Sequence, residues 1–328
     1  MLLPLVPYIR RKIAKISHSG RARWLSIIAV LLSLSLANCS VEKMAVQSIS
    51  DMLGSGGGTV FTGEEDPKLV GDALPFALKL YESLLESTPD HRPLLLATGQ
   101  AFVLYAYAFV QSPAQMLPEE EIELQLSELA RAKKLFLRAR RYFLRALELR
   151  HPGLQEALFA QEWDGNLEFT DQEDVPYLYW AGMAWLGALT TDFFDMELLI
   201  TMPRAVALVL RILDLDETYD NGAVHEFLAT YYGSIPKEIG GSEEKARKHY
   251  QRAVELSDGA KASTYLAIAT TVSINNQDVK EFRELLEKSL AVDVDAVLQY
   301  RLMNILAQEK ARWLLEHVED FFLILEEE

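Results

Sequence analysis

Residues 224–257, VHEFLATYYGSIPKEIGGSEEKARKHYQRAVELS, contain the pattern that predicts the fold of this chain. The first half carries large and apolar residues at the spacing of one helical face: Val224, Phe227, Leu228 and Tyr231. The second half carries a small, a large and a small residue on one face: Ala246, Tyr250 and Ala253. A glycine-rich turn lies between them, and Ser242 followed by two glutamates is a typical helix start. The stretch therefore predicts two helices packed as a hairpin.

The same two patterns recur along the chain in alternating order. The second-helix pattern appears in four more segments: Ala77/Tyr81/Leu84, Ala139/Phe143/Ala146, Ala205/Val209/Ile212 and Phe282/Leu286/Ser289. The first-helix pattern appears in two more: Leu95/Thr98/Gly99/Phe102 and Leu178/Ala181/Gly182/Trp185. Both patterns resemble the tetratricopeptide repeat. We therefore predict an all-α fold, an irregular tetratricopeptide-like array of helical hairpins with extra helices. A generic bundle of amphipathic helices is the alternative.

Helical periodicity runs from about residue 68 to residue 320. The predicted helices cover residues 68–87, 91–110, 119–150, 153–160, 175–190, 195–213, 220–232, 242–257, 260–274, 277–291 and 294–320. Turn-forming residues separate several of them, as at Thr88-Pro89-Asp90 and His151-Pro152-Gly153. No run with the alternation of a β-strand competes with this interpretation.

The N-terminal residues predict export and a lipid anchor. Six basic residues precede the apolar run at 24–39, WLSIIAVLLSLSLANC, which is too short to span a bilayer of about 30 Å as a permanent helix. Its end, Leu36 to Cys39, resembles the cleavage site of bacterial lipoproteins, in which the cysteine is acylated. We predict a lipoprotein signal peptide at 1–38, a lipidated N-terminus and flexible linker at 39–66, and a helical domain at 67–328. An ordinary signal peptide with a spare cysteine, or a signal anchor, is the alternative.

The charge balance and the chemistry-bearing residues exclude several classes of function. Without residues 1–38 the chain has 26 basic and 48 acidic residues, a net charge of −22 at neutral pH. Such a surface disfavours nucleic acid and electrostatic membrane binding, so the lipids on Cys39 are the expected anchor. The six histidines lack metal-ligand spacing, and the calcium-like segment 216–222 lacks the closing glutamate. We predict no enzyme activity, no metal and no cofactor.

The concave surface of the array is the candidate binding site. First helices line this surface in tetratricopeptide arrays, and the residues that we single out there are Gln100, Val103, Tyr179, Met183, Leu186, His225, Tyr232 and Tyr265. Neighbouring positions on the same surface are Leu96, Ala229, Ala269 and Val272. The set is nearly uncharged, which favours a hydrophobic small molecule or an apolar helix over a peptide carboxylate. Extra helices that fill the groove are the alternative.

Aromatic residues are densest between residues 163 and 194. The eight are Trp163, Phe169, Tyr177, Tyr179, Trp180, Trp185, Phe193 and Phe194. Core packing explains such a density, and so does an apolar ligand pocket with polar groups that orient the ligand. The sequence leaves both interpretations open.

Four features together carry a resemblance to a known family. They are the lipoprotein-like ending at Cys39, the irregular repeats, the segment YAYAFV at 105–110 and the segment GGSEEKA at 240–246. In combination they are similar to the T-component of TRAP-type (tripartite ATP-independent periplasmic) transporters, notably of treponemes. The resemblance implies a periplasmic, lipid-anchored homotrimer that docks the solute-binding P-component. It also implies an apolar channel for a hydrophobic small molecule. A tetratricopeptide scaffold lipoprotein for envelope or outer-membrane protein assembly is the alternative.

Overall fold

The computed structural model of the protein describes Ser48, residues 58–163 and residues 165–323. Contacts divide the chain into two compact units, Met1–Asp51 and Met52–Glu328. Apart from Ser48, every described residue belongs to the second unit. The predicted signal peptide, Cys39 and most of the predicted linker lie outside the described residues.

The described residues form twelve helices and no strand, which confirms the predicted all-α fold. In chain order they are α1 (Gly58–Thr62), α2 (Pro67–Ser87), α3 (Arg92–Gln115), α4 (Ile122–Arg150), α5 (Leu154–Phe159), α6 (Val175–Thr190), α7 (Met196–Asp216), α8 (Ala223–Ser234), α9 (Glu243–Ser257), α10 (Ala262–Ile268, continued by a π-helical turn at Ala269–Ser273), α11 (Val279–Leu290) and α12 (Arg301–Glu316). The predicted cap of α9 is confirmed, since the Ser242 hydroxyl accepts a hydrogen bond from the Lys245 N–H.

Successive helices pack as hairpins, in the order that the two sequence patterns predict. The pairs are α3 with α4, α6 with α7, α8 with α9 and α10 with α11, and α4 also packs on α6. This arrangement is compatible with an irregular tetratricopeptide-like array. The helix α5 and the segment 160–174 are inserted between α4 and α6, where the sequence spacing is longest.

The repeat pattern works by fitting a large side chain against a glycine. A Cβ placed on Gly99 of α3 would lie 2.4 Å from Cζ of Phe143 on α4. One hairpin later, a Cβ on Gly182 of α6 would lie 2.5 Å from Cγ2 of Val209 on α7. Phe143 and Val209 are fully buried. The missing side chain of each glycine therefore lets a first helix approach its second helix closely, as the sequence pattern predicts.

The largest differences from the predicted helix bounds lie in three places. The helix predicted to end at residue 110 continues to Gln115, because a π-helical turn at Tyr107–Gln111 precedes Pro113 and places it at the start of a new α turn, where its missing N–H is harmless. The last helix begins at Arg301 instead of 294. The helix α1 lies within residues 39–66, which the sequence predicts as linker.

The dense aromatic segment divides between core and surface. Trp185 and Tyr177 are buried, whereas Phe193 and Phe194, between α6 and α7, are 62% and 93% exposed. Tyr179 and Trp180 are half-buried and pack edge to face. This one segment therefore supplies core residues, an inner surface and an exposed apolar loop.

The last helix packs against the first ones and closes the array. Leu302 of α12 forms a buried cluster with Val70 and Leu74 of α2, and Leu306 packs against that cluster from α12. Arg301 forms an ion pair with Glu65 just before α2. These contacts join the two ends of the described array.

One described helix, α3, is long and apolar enough by composition to cross a membrane. It is largely buried between α4, α6 and α2. A core helix of a helical array can have the length and apolar composition of a membrane span. The apolar composition of α3 is therefore explained by its position in the core.

Candidate functional site

Side chains from three first helices lie near the carboxylate of Glu226 in a fourth, α8. Thr264 of α10 donates a hydrogen bond to its Oε2 over 3.0 Å. The carboxylate also raises the pKa of Tyr107 in α3 and of Tyr179 in α6, in each case as a second cause after burial. The interaction between charges weakens with distance, so both tyrosines lie near Glu226. We name Tyr107, Tyr179, Glu226 and Thr264 together the candidate channel.

Both tyrosines of the candidate channel are half-buried. Burial is the first cause of the raised pKa of Tyr107 and of Tyr179. Tyr179 is held there by ring contacts with Trp180 and Tyr219, with ring centroids 5.3 Å apart in each pair.

Two of the first helices carry a π-helical turn. One turn is Tyr107–Gln111 in α3, and the other is Ala269–Ser273 in α10. Such turns cost helical hydrogen-bond geometry and are frequent at functional sites. The first of them begins at Tyr107 itself, one of the residues near Glu226.

The structure separates the residues that the sequence places on one concave surface. Tyr179 faces the candidate channel. Gln100 and Met183 are half-buried on α3 and α6, whereas Val103 and Leu186 on the same helices are 7% and 8% exposed and belong to the core. Ala229, Ala269 and Val272 are buried as well, and Leu96 packs partly buried against the core. Close packing of neighbouring first helices covers these positions.

His225 and Tyr232 face the interior of the α8–α9 hairpin instead of the concave surface. The Nδ1 atoms of His225 and His249 lie 2.8 Å apart, and His225 Nε2 lies 3.5 Å from a carboxylate oxygen of Glu217. The Tyr232 ring stacks on His249, with 5.7 Å between centroids. The two side chains therefore serve the hairpin and do not line the channel around Glu226.

Tyr265 lies at a third place. Its ring contacts Tyr250 of α9, and the side chain lines a surface cleft together with Gly259, Lys288 and Val297. The eight candidate residues thus occupy at least three environments: the channel, the core and the interior of individual hairpins or clefts.

The channel residues that the sequence did not single out are Tyr107 and Glu226. Tyr107 belongs to the segment YAYAFV, whose tyrosines the sequence marks only as an aromatic run. Glu226 follows His225 directly, but a charged residue contradicts the expectation of a nearly uncharged surface. Only the tertiary structure brings side chains of α3, α6 and α10 near this carboxylate of α8.

No group of His, Cys, Asp and Glu side chains suited to a metal ion occurs within the described ranges. The calcium-like segment 216–222 is a helix-joining turn between α7 and α8. Its Asp220 carboxylate accepts a hydrogen bond from the Lys261 ammonium over 3.0 Å, and Asp216 accepts one from the Thr218 hydroxyl over 2.6 Å.

The histidine pair predicts a pH dependence of stability. Burial, together with the charge of His225, lowers the pKa of His249 from 6.5 to about 4, and burial also lowers the pKa of His225. A lowered pKa in the folded state stabilises the protein above pH 6.5, and this contribution is lost as the pH falls from 6.5 towards 4. Solvent screens part of the electrostatic interaction at this half-buried site. We therefore expect the free energy of unfolding to fall by about 2 kcal/mol over this pH range.

Urea unfolding between pH 7.5 and 4.5 measures this loss. Carboxylates also titrate in this range, so the informative quantity is the difference from the variant His249→Gln, which retains a hydrogen-bonding group without the titration. The variant should show the shallower pH dependence. Parallel curves for the two proteins would exclude the histidine pair as the cause.

Comparison with known proteins identifies a family whose match covers the helical array. The family described as TRAP transporter T-component matches residues 63–322, nearly the whole described unit. An uncharacterized protein of Treponema pallidum (strain Nichols) is 38% identical over 309 residues, which cover 88% of this chain and 95% of that protein. A match over the full helical array, closing helix included, extends to every element that surrounds the candidate channel. The chain belongs to the T-component family of TRAP transporters.

Proposed function

We propose that this protein is a periplasmic, lipid-anchored accessory component of a TRAP-type transport system that docks the solute-binding P-component and offers it a channel for a hydrophobic small molecule. The observation that carries the proposal is the T-component family match over residues 63–322. The grouping of Tyr107, Tyr179 and Thr264 near Glu226 is the site that we propose for the small molecule, because aromatic side chains with a few oriented polar groups are the usual lining of such a site.

Exposed apolar side chains support a role in assembly. One group surrounds the connection from α6 to α7: Phe193, Phe194, Met196 and Ile200, each more than 60% exposed. A second group lies on α2 and includes Leu69, Phe76 and Leu80. Contiguous exposed apolar surface marks interaction sites in soluble proteins. A third group lies on α4: Ile122, Leu124 and Leu126. Several separate groups suit a subunit that contacts its own copies in a homotrimer and also contacts a P-component.

The lipid anchor at Cys39 belongs to the same proposal. Cys39 is the only cysteine and follows a segment typical of lipoprotein export signals. Acyl chains on this residue would hold an acidic protein at a membrane that its charge does not favour. Mass spectrometry of the protein from its native membrane should find the first residue to be an acylated Cys39.

Co-purification tests the docking step. We expect the form that begins at Ser40 to have the mass of a trimer in light scattering and to add P-component mass when mixed with a candidate solute-binding protein. Phe194→Ser and Phe76→Ser, one at the α6–α7 connection and one on α2, should reduce trimer or complex formation at least tenfold without loss of helicity. Glu287→Ser changes an exposed position of α11, a helix without exposed large apolar side chains, so it serves as the matched control and should leave assembly unchanged.

Mass spectrometry of organic extracts of the purified protein tests the proposed channel. We expect the extract to contain a hydrophobic small molecule that the protein carries. A monomer that binds no solute-binding protein and carries no small molecule would overturn the proposal. Binding to an outer-membrane protein instead would favour the scaffold alternative.

A further inference from the structure

The surface cleft at Tyr265 lies beside the C-terminal ends of α9 and α11 and has a volume of about 490 Å³. Val292 and Val297 line it together with three alanines, so much of its surface is apolar. Pockets that bind small molecules commonly measure about 300–1,000 Å³, and the cleft falls within this range. None of the four residues of the candidate channel lines it.

Buried amides of α12 hold both sides of the cleft in place. The side chain of Asn304, which is 2% exposed, accepts a hydrogen bond from the Ala262 N–H and donates one to the Ala260 carbonyl, each over 2.9 Å. One helical turn later, the buried amide of Gln308 donates hydrogen bonds to three carbonyl groups in the stretch 289–292. The turns after α9 and after α11 are thus attached to the same helix. A cleft with fixed walls loses less conformational entropy when a ligand binds.

The turn after α9 contributes a carboxylate and leaves room for a hydroxyl group. Asp258 and Gly259 both have left-handed backbone conformations, with φ of 51° and 69°. A Cβ atom on Gly259 would lie 3.0 Å from the hydroxyl oxygen of Tyr265. A larger residue at position 259 would therefore crowd the Tyr265 hydroxyl, and the glycine keeps this side of the cleft open.

Charged groups of both signs line the cleft without pairing to one another. Within the described part of the chain, no carboxylate forms an ion pair with Lys288, and no basic side chain forms one with Asp258 or Asp293. The Asp293 carboxylate accepts a hydrogen bond from the Asp295 N–H over 2.9 Å, within its own turn. Asp295 itself pairs with Arg301 over 2.6 Å. Lys288 and Asp258 therefore remain available to a ligand that carries both charges.

Each polar group of the cleft suits one part of such a ligand. The Lys288 ammonium and the Tyr265 hydroxyl are donors for a carboxylate, and burial raises the pKa of Tyr265, so its hydroxyl is protonated at neutral pH. The Asp258 carboxylate is an acceptor for an ammonium group. Hydrogen bonds with a charged donor or acceptor are stronger than neutral ones, and the apolar surface of Val292 and Val297 suits a hydrocarbon side chain.

We propose that this cleft binds a free amino acid with an apolar side chain. Lys288 and Tyr265 bind its carboxylate, and Asp258 binds its ammonium group. A free amino acid carries both charged groups on one carbon atom, whereas a peptide carries them on separate residues. The site goes beyond the proposed function, because it uses none of the residues of the candidate channel and requires no partner protein.

L-leucine, L-leucinamide and N-acetyl-L-leucine test the proposal, since the second probe lacks the carboxylate and the third lacks the ammonium group. In calorimetric titration, the full-length protein should bind leucine at least tenfold more tightly than either analogue. Lys288→Gln should weaken leucine binding at least tenfold, to the level of leucinamide. Asp258→Asn should weaken it at least tenfold, to the level of N-acetyl-leucine, and asparagine tolerates the left-handed backbone at this position.

Lys280→Gln is the matched control for the charge change. Lys280 belongs to the same helix as Lys288, its side chain is 87% exposed, and it does not line the cleft. This variant should bind leucine as the wild type does. All three substitutions are at exposed positions, so the midpoint of thermal unfolding should stay at the wild-type value. The proposal is overturned if leucine at millimolar concentration gives no heat of binding, if the three probes bind equally, or if Lys288→Gln binds leucine as Lys280→Gln does.

Discussion

Replacement of Asp174 by Ala should destabilise the protein by about 3–5 kcal/mol, because it leaves two arginines without the buried counterion that they share. Asp174 is fully buried at the start of α6, and its carboxylate contacts Arg92 of α3, Arg150 of α4 and His151 just after α4. One side chain thus joins three helices of the array. Since domains of this kind are stable by roughly 5–15 kcal/mol, the variant would lose a large part of its total stability.

Asp171 offers a matched control for this prediction. Its side chain is 55% exposed and contacts the same Arg150 over 2.6 Å. An exposed ion pair contributes little to stability, so Asp171→Ala should lower the free energy of unfolding by about 1 kcal/mol or less. Urea unfolding followed by helical circular dichroism measures both variants, and Asp174→Asn separates loss of charge from loss of volume. If Asp174→Ala lost no more stability than Asp171→Ala, the buried network would not be the link between the helices.

The variant Gly99→Ala should destabilise the protein by about 2–3 kcal/mol, although alanine is the better helix former. The added methyl group would lie 2.4 Å from the Phe143 ring, which is fully buried and stacks against Trp180. Neither helix can move away, because α3 and α4 both have partners on their other sides. Packing strain therefore outweighs the gain in helix propensity, which is at most about 1 kcal/mol.

A double-mutant cycle isolates this fit. Phe143→Leu removes the ring that the new methyl group would strike, so the pair Gly99→Ala and Phe143→Leu should be more stable than the sum of the two single effects predicts. Thermal or urea unfolding of the four proteins gives the coupling free energy. Strict additivity would mean that the glycine and the phenylalanine do not determine the distance between α3 and α4.

The last helix joins the two ends of the described array. Leu302 of α12 forms a buried cluster with Val70 and Leu74 of α2, and Leu306 packs against that cluster. Lys310 continues the same seam and donates a hydrogen bond to the side-chain oxygen of Gln115 at the end of α3. Contacts between opposite ends of the array therefore fix the position of α12.

The helices and the residues at their crossings could be predicted from the sequence. Helical spacing locates α4, α6 and α9 within a few residues, and the patterns at Gly99, Phe143 and Ala246 identify positions that are buried. Both kinds of information are local, because neighbours on a helical face are three or four residues apart in the chain. The sequence does not predict the π-helical turn in α3, since Pro113 ordinarily ends a helix.

The candidate site could be predicted only in part. Tyr179 lies on an inner surface, but His225 turns into its hairpin towards His249, and Glu226 takes the inward position beside it. A rotation of about 100° separates adjacent residues on a helix, so a small error in the orientation of α8 exchanges one for the other. Sequence spacing does not fix that orientation to the required accuracy.

The sequence by itself determined that this protein is a helical-hairpin array of acidic surface with an export-like segment, because charge, composition and helical period are properties of the chain alone. Only the tertiary structure decided that α12 returns to α2 and α3, and that Tyr107, Tyr179 and Thr264 lie near Glu226. The contact of Lys310 with Gln115 joins residues 195 positions apart in the chain. Such contacts depend on the small angles between successive hairpins added over the whole array, and no local pattern encodes that sum.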